Sequence, residues 1–372
     1  MGWWDRCVWS RVQNREALTL KGLLADQGTP TAAGEPVTTD RALRLSAVWA
    51  CTRLLADSVS TLPLDVYRRG EQTPLATAPP LLQHPSADFQ LADWLYAVMA
   101  SLLVRGNAYG LITARAGAGM LPAQVDLVHP DRMGVTVNGE GRITYRLLGD
   151  ELDPADVWHV RAYVFPGVPV GLSPVEYARE TIGLGLAAER YGAKFFGDSA
   201  IPSGVLTSEQ RITAEQATGL QERWDARHKG KRRIAVLGDG AKFQPVTIPN
   251  DQAQWIESQQ FNVNAIARIF GVPGEMVGGQ TAGPLAYTSP EQRGEDFLTY
   301  SVRPWLLRVE RAVSRLLPRT QQAKFNAGGF VRVALKDRYD AHKTGIEAGF
   351  LTVNEARELE DRPPLPEGGA VA

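Results

Sequence analysis

The chain has 372 residues and a formal net charge of −1 at pH 7, so no global field draws it to nucleic acid or to a membrane surface. Two cysteines, Cys7 and Cys51, exclude a disulfide framework and a zinc-ligand spacing. No apolar run reaches the ~18 residues that span a bilayer, and the N-terminus has no signal-peptide core, so the reading is a soluble protein, or one assembled from soluble parts, in a reducing compartment, with no membrane partner.

Residues 1–40 read as a flexible N-terminal arm, because Ala25 to Asp40 is small, polar and turn-rich. From Arg41, Leu43, Val48, Cys51, Leu55 and Val59 recur at helical spacing, which predicts a helix ending before Pro63 and burying the Cys51 thiol. Leu64 to Tyr67 alternates like a strand. A second helix is expected over Leu91 to Val104, then a strand over Tyr109 to Arg115. Asn138 and Gly139 predict a hairpin turn, since both tolerate positive φ. Residues 41–172 therefore read as an α+β unit with an antiparallel sheet.

Ser173-Pro174-Val175-Glu176 is a capping-box sequence, and the helix it starts is expected to reach about Phe196. That helix carries Gly183, Gly185 and Gly192 in its interior, each costing ~1 kcal/mol relative to Ala. Close approach of another helix or subunit would explain that cost, and ordinary core packing within one chain explains it equally well. An insert follows over 200–248, with a strand at 203–207, a helix capped at Thr213 and a hairpin signal at Asp239-Gly240. Two strong helices then flank a Gly- and Pro-rich stretch over 271–288. The first covers Gln252 to Phe270; the second opens at Ser289-Pro290. Long connections without secondary structure are uncommon and usually functional or disordered. A last helix is capped by Thr352 with Glu355, and the tail from Arg362 reads as disordered.

The sequence holds no Walker A, no dinucleotide fingerprint after a strand and no HExxH, nor a Gly-x-Ser-x-Gly elbow. The five histidines are scattered, and His129 and His159 read as structural hydrogen-bonding groups. No catalytic residue, metal ligand or cofactor site is assigned. Two features point to contacts. Arg223, Arg227, Lys229, Lys231, Arg232 and Arg233 are opposed only by Asp225; they form either a solvated helix end or a surface for phosphate or an acidic partner. Gln252, Gln254, Ser258, Gln259, Gln260, Asn262 and Asn264 give the helix before the loop a polar, nearly uncharged character. Duplex DNA could slide past such a face, or it is an ordinary exposed helical surface.

Several segments in order resemble the portal protein (head-to-tail connector) family of tailed bacteriophages: LSAVWACTRLLADSVSTLPLDVYRR, RGNAYGLI, VGLSPVEYARETIGLGLAAERYGAKFF, AIPSGVL, IARIFGVPGEMVG and GFLTVNEAREL. The resemblance implies a ring, dodecameric in the virion, at the capsid portal vertex, assembled in the host cytoplasm. It implies an α+β wing over 41–172, a first stem helix over 173–199, a small α/β clip over 200–249 and a second stem helix over 250–270. A tunnel loop over 271–288, a wing helix over 289–318 and a short helical crown with a C-terminal tail over 319–372 complete the series. Double-stranded DNA would pass through the tunnel beside loop residues Gly278, Gly279, Gln280, Thr281 and Gly283, with Gln259 and Asn262 lining the stem. Arg227, Lys229, Lys231, Arg232 and Arg233 would meet the terminase large subunit and later the head-tail adaptor protein. Major capsid and scaffolding proteins are the other implied partners. The family hydrolyses no nucleotide itself, in keeping with the missing Walker A. The competing expectation is a hydrolase-like enzyme with a lid loop at 271–288.

Overall fold

The computed structural model describes residues 31–71, 73–117, 119–138, 141–197, 204–207, 242–245, 251–280, 290–327, 335–360 and 362–365, with isolated positions between 213 and 219. The core begins with α1 (Thr39–Arg44) and α2 (Ser46–Ser60), which are separated by a break at Leu45. The expected helix thus starts two residues early, capped by Thr38, and is split. Val48, Cys51, Leu55 and Val59 are all fully buried. A short α3 (Pro80–Gln83), with Leu81 and Leu82 buried, precedes α4 (Leu91–Arg105). Trp94, Leu95, Val98, Met99 and Leu102 of α4 share one core with the buried face of α2. Each such side chain contributes about 1.5–3 kcal/mol when removed from water. Burial pushes the Cys51 thiol up to about 12, so it stays protonated and packs as a small apolar group.

The α+β expectation holds, with two three-stranded antiparallel sheets. The first has the order β3-β2-β7, from β3 (Leu121–Val128), β2 (Asn107–Ala116) and β7 (Val157–Arg161). The second has the order β4-β5-β6, from β4 (Met133–Val137), β5 (Ile143–Leu147) and β6 (Asp150–Leu152). The hairpin expected around Asn138 forms, with positive φ at Gly141 and not at Asn138. Val137 pairs with Ile143, and the Asn138 amide bonds the Arg142 carbonyl. Two tryptophans fasten the first sheet to α4 and to the helix over Arg303–Ser314. The Trp94 indole donates to the Val125 carbonyl at 2.9 Å, and the Trp158 indole to the Ala312 carbonyl at 2.9 Å. Their rings lie 5.0 Å apart.

Several boundaries differ from expectation for identifiable reasons. The expected 289–318 helix is three pieces: α8 (Pro290–Asp296), a π turn (Phe297–Val302) and α9 (Arg303–Ser314). Pro304 has no amide and its ring crowds the preceding turn. The wider turn, with the Arg303 amide bonding back to Leu298, makes room for it. Gln321–Phe325, expected within the crown segment, is strand β10 and pairs antiparallel with β1 (Leu64–Arg68) from Leu64–Phe325 to Arg68–Gln321. Its inward residues Ala323 and Phe325 join the core. The segment 319–325 therefore belongs to the body that holds α2 and α9. The arm expected to be flexible through residue 40 is docked from Thr31 onward, with Thr31, Glu35 and Val37 buried. In the insert, β8 (Gly204–Thr207) pairs with β9 (Lys242–Pro245); the Asp239-Gly240 turn lies outside the described residues.

The helix after Ser173 is also split, into α5 (Pro174–Tyr177) and α6 (Arg179–Gly197). Its start is fixed by a tight backbone junction. Gly106, left-handed at φ +72, ends α4. A Cβ there would fall 2.1 Å from the Leu172 carbonyl oxygen, and one on Gly171 would fall 2.2 Å from the Gly106 oxygen. The two chains touch because neither residue has a side chain. Ser173 donates to the Val104 carbonyl at 2.7 Å and accepts from the Glu176 amide, so it joins α4 to α5 while capping the latter.

Gly106→Ala is expected to destabilise the protein by about 3 kcal/mol or more, through both the φ cost and backbone collision. Gly70→Ala carries positive φ but faces open space, and should cost about 1 kcal/mol. Chemical denaturation of the two variants compares these terms, and equal losses would mean that the Gly106 contact is loose.

Candidate functional site

The expected tunnel loop opens as a folded knob. Helix α7 (Asp251–Phe270), expected as the second stem helix, ends in a Schellman turn. Gly271 sits at φ +68, its amide bonds Arg268, and the Val272 amide bonds Ala267 at 2.9 Å. Val272 is buried against the core. A 3-10 turn follows over Gly274–Val277, ending at left-handed Gly278. The Gly279 amide closes back on the Gly274 carbonyl at 2.7 Å. Cβ atoms on Gly274 and Gly279 would each fall 2.2 Å from Asn264 Oδ1, so these glycines wrap the Asn264 carboxamide. Gln280 is exposed, and its side-chain amide donates to Gln260 Oε1. The stretch up to Gln280 is thus a fixed turn and not a structureless loop; Thr281 and Gly283 lie outside the described residues.

Of the two residues expected to line the stem, Asn262 is sealed between helices. It is 6% exposed, and a Cβ on Gly185 of α6 would lie 2.5 Å from its Nδ2 and 2.9 Å from Leu45 Cδ2. Within this chain Asn262 is therefore enclosed at a close helix crossing. Gln259 is half-buried. At two of the three interior glycines the same geometry shows close approach of other parts of this chain. Gly183 receives Thr31 of the docked arm, since a Cβ at Gly183 would fall 2.5 Å from Thr31 Oγ1, and Gly185 receives Asn262. Packing within the chain accounts for both. The face of α5 and α6 that remains exposed carries Tyr177 (72%), Leu184 (55%) and Tyr191 (60%), spaced seven residues apart. Arg227, Lys229, Lys231, Arg232 and Arg233 lie outside the described residues.

Among the described residues no group of histidine, cysteine and carboxylate side chains could hold a metal ion. His159 has both ring nitrogens engaged. Nε2 lies 3.0 Å from Asn107 Oδ1, and Nδ1 lies 3.2 Å from the Tyr145 hydroxyl. The Asn107 Nδ2 amide donates to the Gly171 carbonyl at 2.8 Å, which leaves Oδ1 as the acceptor. Nε2 therefore carries the imidazole proton, and the Tyr145 hydroxyl donates to Nδ1. Tyr109 stacks on the ring at 4.4 Å. Burial, aided by Arg161, holds the His159 pKa down to about 3. It is a neutral structural histidine, as the sequence suggests. His129 is similar in kind: its Nδ1 accepts from the Asp131 amide, and burial lowers its pKa.

A phage portal protein family model matches residues 46–361. The chain belongs to the phage portal protein family. It is 35% identical to the probable portal protein of Streptomyces phage phiC31 over 92% of this chain and 79% of that relative. It is 29% identical to the portal protein of Enterobacteria phage HK97 over the whole of this chain and 91% of that relative. Its fold is shared with a protein in the neck of a native GTA particle computed with C12 symmetry, at a TM-score of 0.65 and 21% identity, covering 88% of this chain and 94% of that one. Portal proteins are structural components of DNA packaging, and the reading of a hydrolase with a lid loop finds no support in these matches.

The residues that sequence reasoning passed over are the ones that aim α5. Asn107 is buried, and its carboxamide binds the Gly171 amide at 2.7 Å, the Gly171 carbonyl, the Arg105 carbonyl and His159. It thereby ties the end of α4, the start of β2, the edge strand β7 and the entry to α5. The signal was present: Gly106-Asn107 after a helix and Gly171-Leu172-Ser173 before one are two of the segments that carry the family resemblance.

Because the unfolded chain binds a proton on His159 near pH 6.5 and the folded chain does so only near pH 3, this residue's share of stability is complete above about pH 6.5. It is lost progressively as pH falls, by up to about 1.4 kcal/mol per pH unit. Denaturant unfolding at several pH values between 6.5 and 5 should show a shallower slope for His159→Gln than for the native chain. Parallel slopes would show that the imidazole is already protonated in the folded protein.

Proposed function

We propose that this chain assembles with copies of itself into the ring at the capsid portal vertex, through which double-stranded DNA is packaged and later ejected. The carrying observation is the family match over 46–361, which runs from the expected wing into the expected crown. In this reading the body around α2, α4 and the two sheets is the wing, and α5–α6 with α7 form the stem. The 200–249 insert is the clip that docks the terminase large subunit and then the head-tail adaptor protein. The segment 271–288 is the tunnel loop, and the last helices form a short crown. Capsid and scaffolding proteins would contact the outside of the ring, and assembly would take place in the host cytoplasm. The knob at 271–280 carries Glu275 and no cation, so any contact it makes with DNA is steric or through polar groups such as Gln280.

A ring needs a surface for the neighbouring copy, and the exposed Tyr177–Leu184–Tyr191 face suits it. Tyr177 at the end of α5 and Leu184 and Tyr191 on α6 present three large exposed side chains at seven-residue spacing. Replacing Tyr177 and Leu184 with Ser should convert a species of about twelve copies into smaller ones by mass photometry, with unchanged circular dichroism. Rings of unaltered mass would place the subunit interface elsewhere; a native chain that never rises above monomer would remove the ring itself.

In a packaging assay, Lys231, Arg232 and Arg233 changed together to Ala should reduce terminase-driven filling tenfold or more while leaving rings intact. Shortening 281–288 should lower DNA retention. Full packaging by the first variant would show that the basic cluster is only a solvated helix end, and full retention by the second would remove the loop from the mechanism.

A further inference from the structure

The basic cluster legible in sequence falls in the 200–249 insert. The structure contains another basic surface, built from parts far apart in sequence. Arg311 and Arg315 lie one turn apart at the end of α9, and Arg319 follows in the turn to β10. Lys324 projects from β10, and Arg69 follows the end of β1, its amide bonded to the Thr320 carbonyl at 2.8 Å. All five are exposed and line one open groove of about 570 Å³. Among the described residues none of the four arginines holds an ion pair or a hydrogen bond through its guanidinium. Lys324 sits 5.5 Å over the Tyr67 ring, without a carboxylate. The only acid among the described residues of the groove is Glu310, and its Oε1 already accepts the Phe325 amide at 2.8 Å. Like charges gathered at this density raise the folding free energy unless something neutralises them.

The floor of the groove is apolar. Leu307 is 42% exposed there, beside Leu317 and Ala323. A phosphate backbone has nothing to place against a leucine, whereas a peptide carrying carboxylates and an aliphatic side chain satisfies both rim and floor. Arginine is also the cation best suited to bidentate carboxylate pairing. The frame behind the groove is rigid. Ser314 accepts from the Ala323 amide at 2.9 Å and donates to the Glu310 carbonyl, locking α9 to β10.

We propose that this groove is a docking site for an acidic, leucine-bearing segment of another protein, distinct from the 200–249 insert and independent of whether the chain forms a ring.

The test uses the purified full-length chain and a fluorescein-labelled twelve-residue peptide alternating Glu with Leu, measured by anisotropy in low salt. The native chain should bind it, and raised salt should weaken binding as screening requires. Arg311→Gln/Arg315→Gln/Arg319→Gln should weaken it tenfold or more. Leu307→Ser, which removes only the floor contact at an exposed position and so keeps the fold, should weaken it several-fold. A peptide with Ser in place of Leu should bind as poorly to the native chain as the Glu/Leu peptide binds to Leu307→Ser. The proposal is overturned if the native chain does not bind the peptide, or if Leu307→Ser leaves its affinity unchanged. It is equally overturned if a short DNA duplex of matched charge binds more tightly and loses affinity in the triple variant, which would make the groove a phosphate site. If the triple variant keeps its circular dichroism but no longer forms the oligomer of the native chain, the groove is an interface between copies, and the proposal fails. Ring formation by the native chain is read separately by mass photometry, so failure of peptide docking and failure of the portal-ring reading remain distinguishable.

Discussion

The constraint on which the rest depends is the contact between two backbones that lack side chains, Gly106 and Gly171, with the Asn107 carboxamide bonded across them. A helix leaving a sheet domain can point in many directions. Here its direction is fixed within two residues of its start, because Ser173 caps α5 while bonding to the last turn of α4. Asn107 can do this only because its polar atoms are met. Its amide reaches two carbonyls, and its oxygen accepts from one amide and one imidazole. A buried carboxamide left short of a partner would cost about 1–3 kcal/mol. The low proton affinity of His159 follows from its burial in this arrangement, with the nearby Arg161 charge adding to it.

The second helix of the pair is set by a different device, small residues facing polar ones. Gly185 admits Asn262, and Gly183 admits Thr31. The stretch of chain before α1 is thereby pinned onto α6. The Ala32 amide donates to Glu180 at 3.0 Å, and buried Glu35 meets Arg190. Glu35 is buried while Arg190 stays exposed, and Arg41 lies 3.7 Å from the other carboxylate oxygen, so the cations reach the desolvated carboxylate from the surface. Glycines that cost helix propensity are thus used inside the chain, which leaves the opposite, aromatic-bearing face of α5 and α6 for whatever lies outside it.

The parts of this architecture legible in sequence were those governed by local chemistry. The 3.6-residue spacing of Val48, Cys51, Leu55 and Val59 foretold a buried face, and Asn138 foretold a hairpin. Thr352 with Glu355 foretold a capping box that the structure contains. What stayed hidden was set by distant partners. Nothing local in Gln321–Phe325 says that it will pair with Leu64–Arg68, more than 250 residues earlier. Asn262 read as a surface residue because its polarity is visible in sequence and Gly185, which encloses it, is not adjacent. The π turn was readable in principle from Pro304, but whether a helix breaks, kinks or widens there depends on the packing of Phe297, Val302 and Trp305. The glycine-rich stretch after Phe270 read as an uninterrupted loop because glycine marks both freedom and close approach. Around Asn264 it is close approach that the structure uses.

The same distinction between sum and arrangement governs the electrostatics. A net charge of −1 excludes a basic footprint over the whole protein, but it does not describe any one surface. The knob at 271–280 is free of cations, while α9, β10, the turn between them and the residue after β1 together bring five to a single groove. Charge of that kind accelerates association with an oppositely charged partner and fixes its register, and apolar contact beneath it then slows release. A segment meant to pass a polyanion needs the reverse, since each added cation would trade released counterions for affinity and hold the strand in place. A cation-free knob and a basic groove are therefore compatible on one nearly neutral chain, and the net charge of −1 reveals neither.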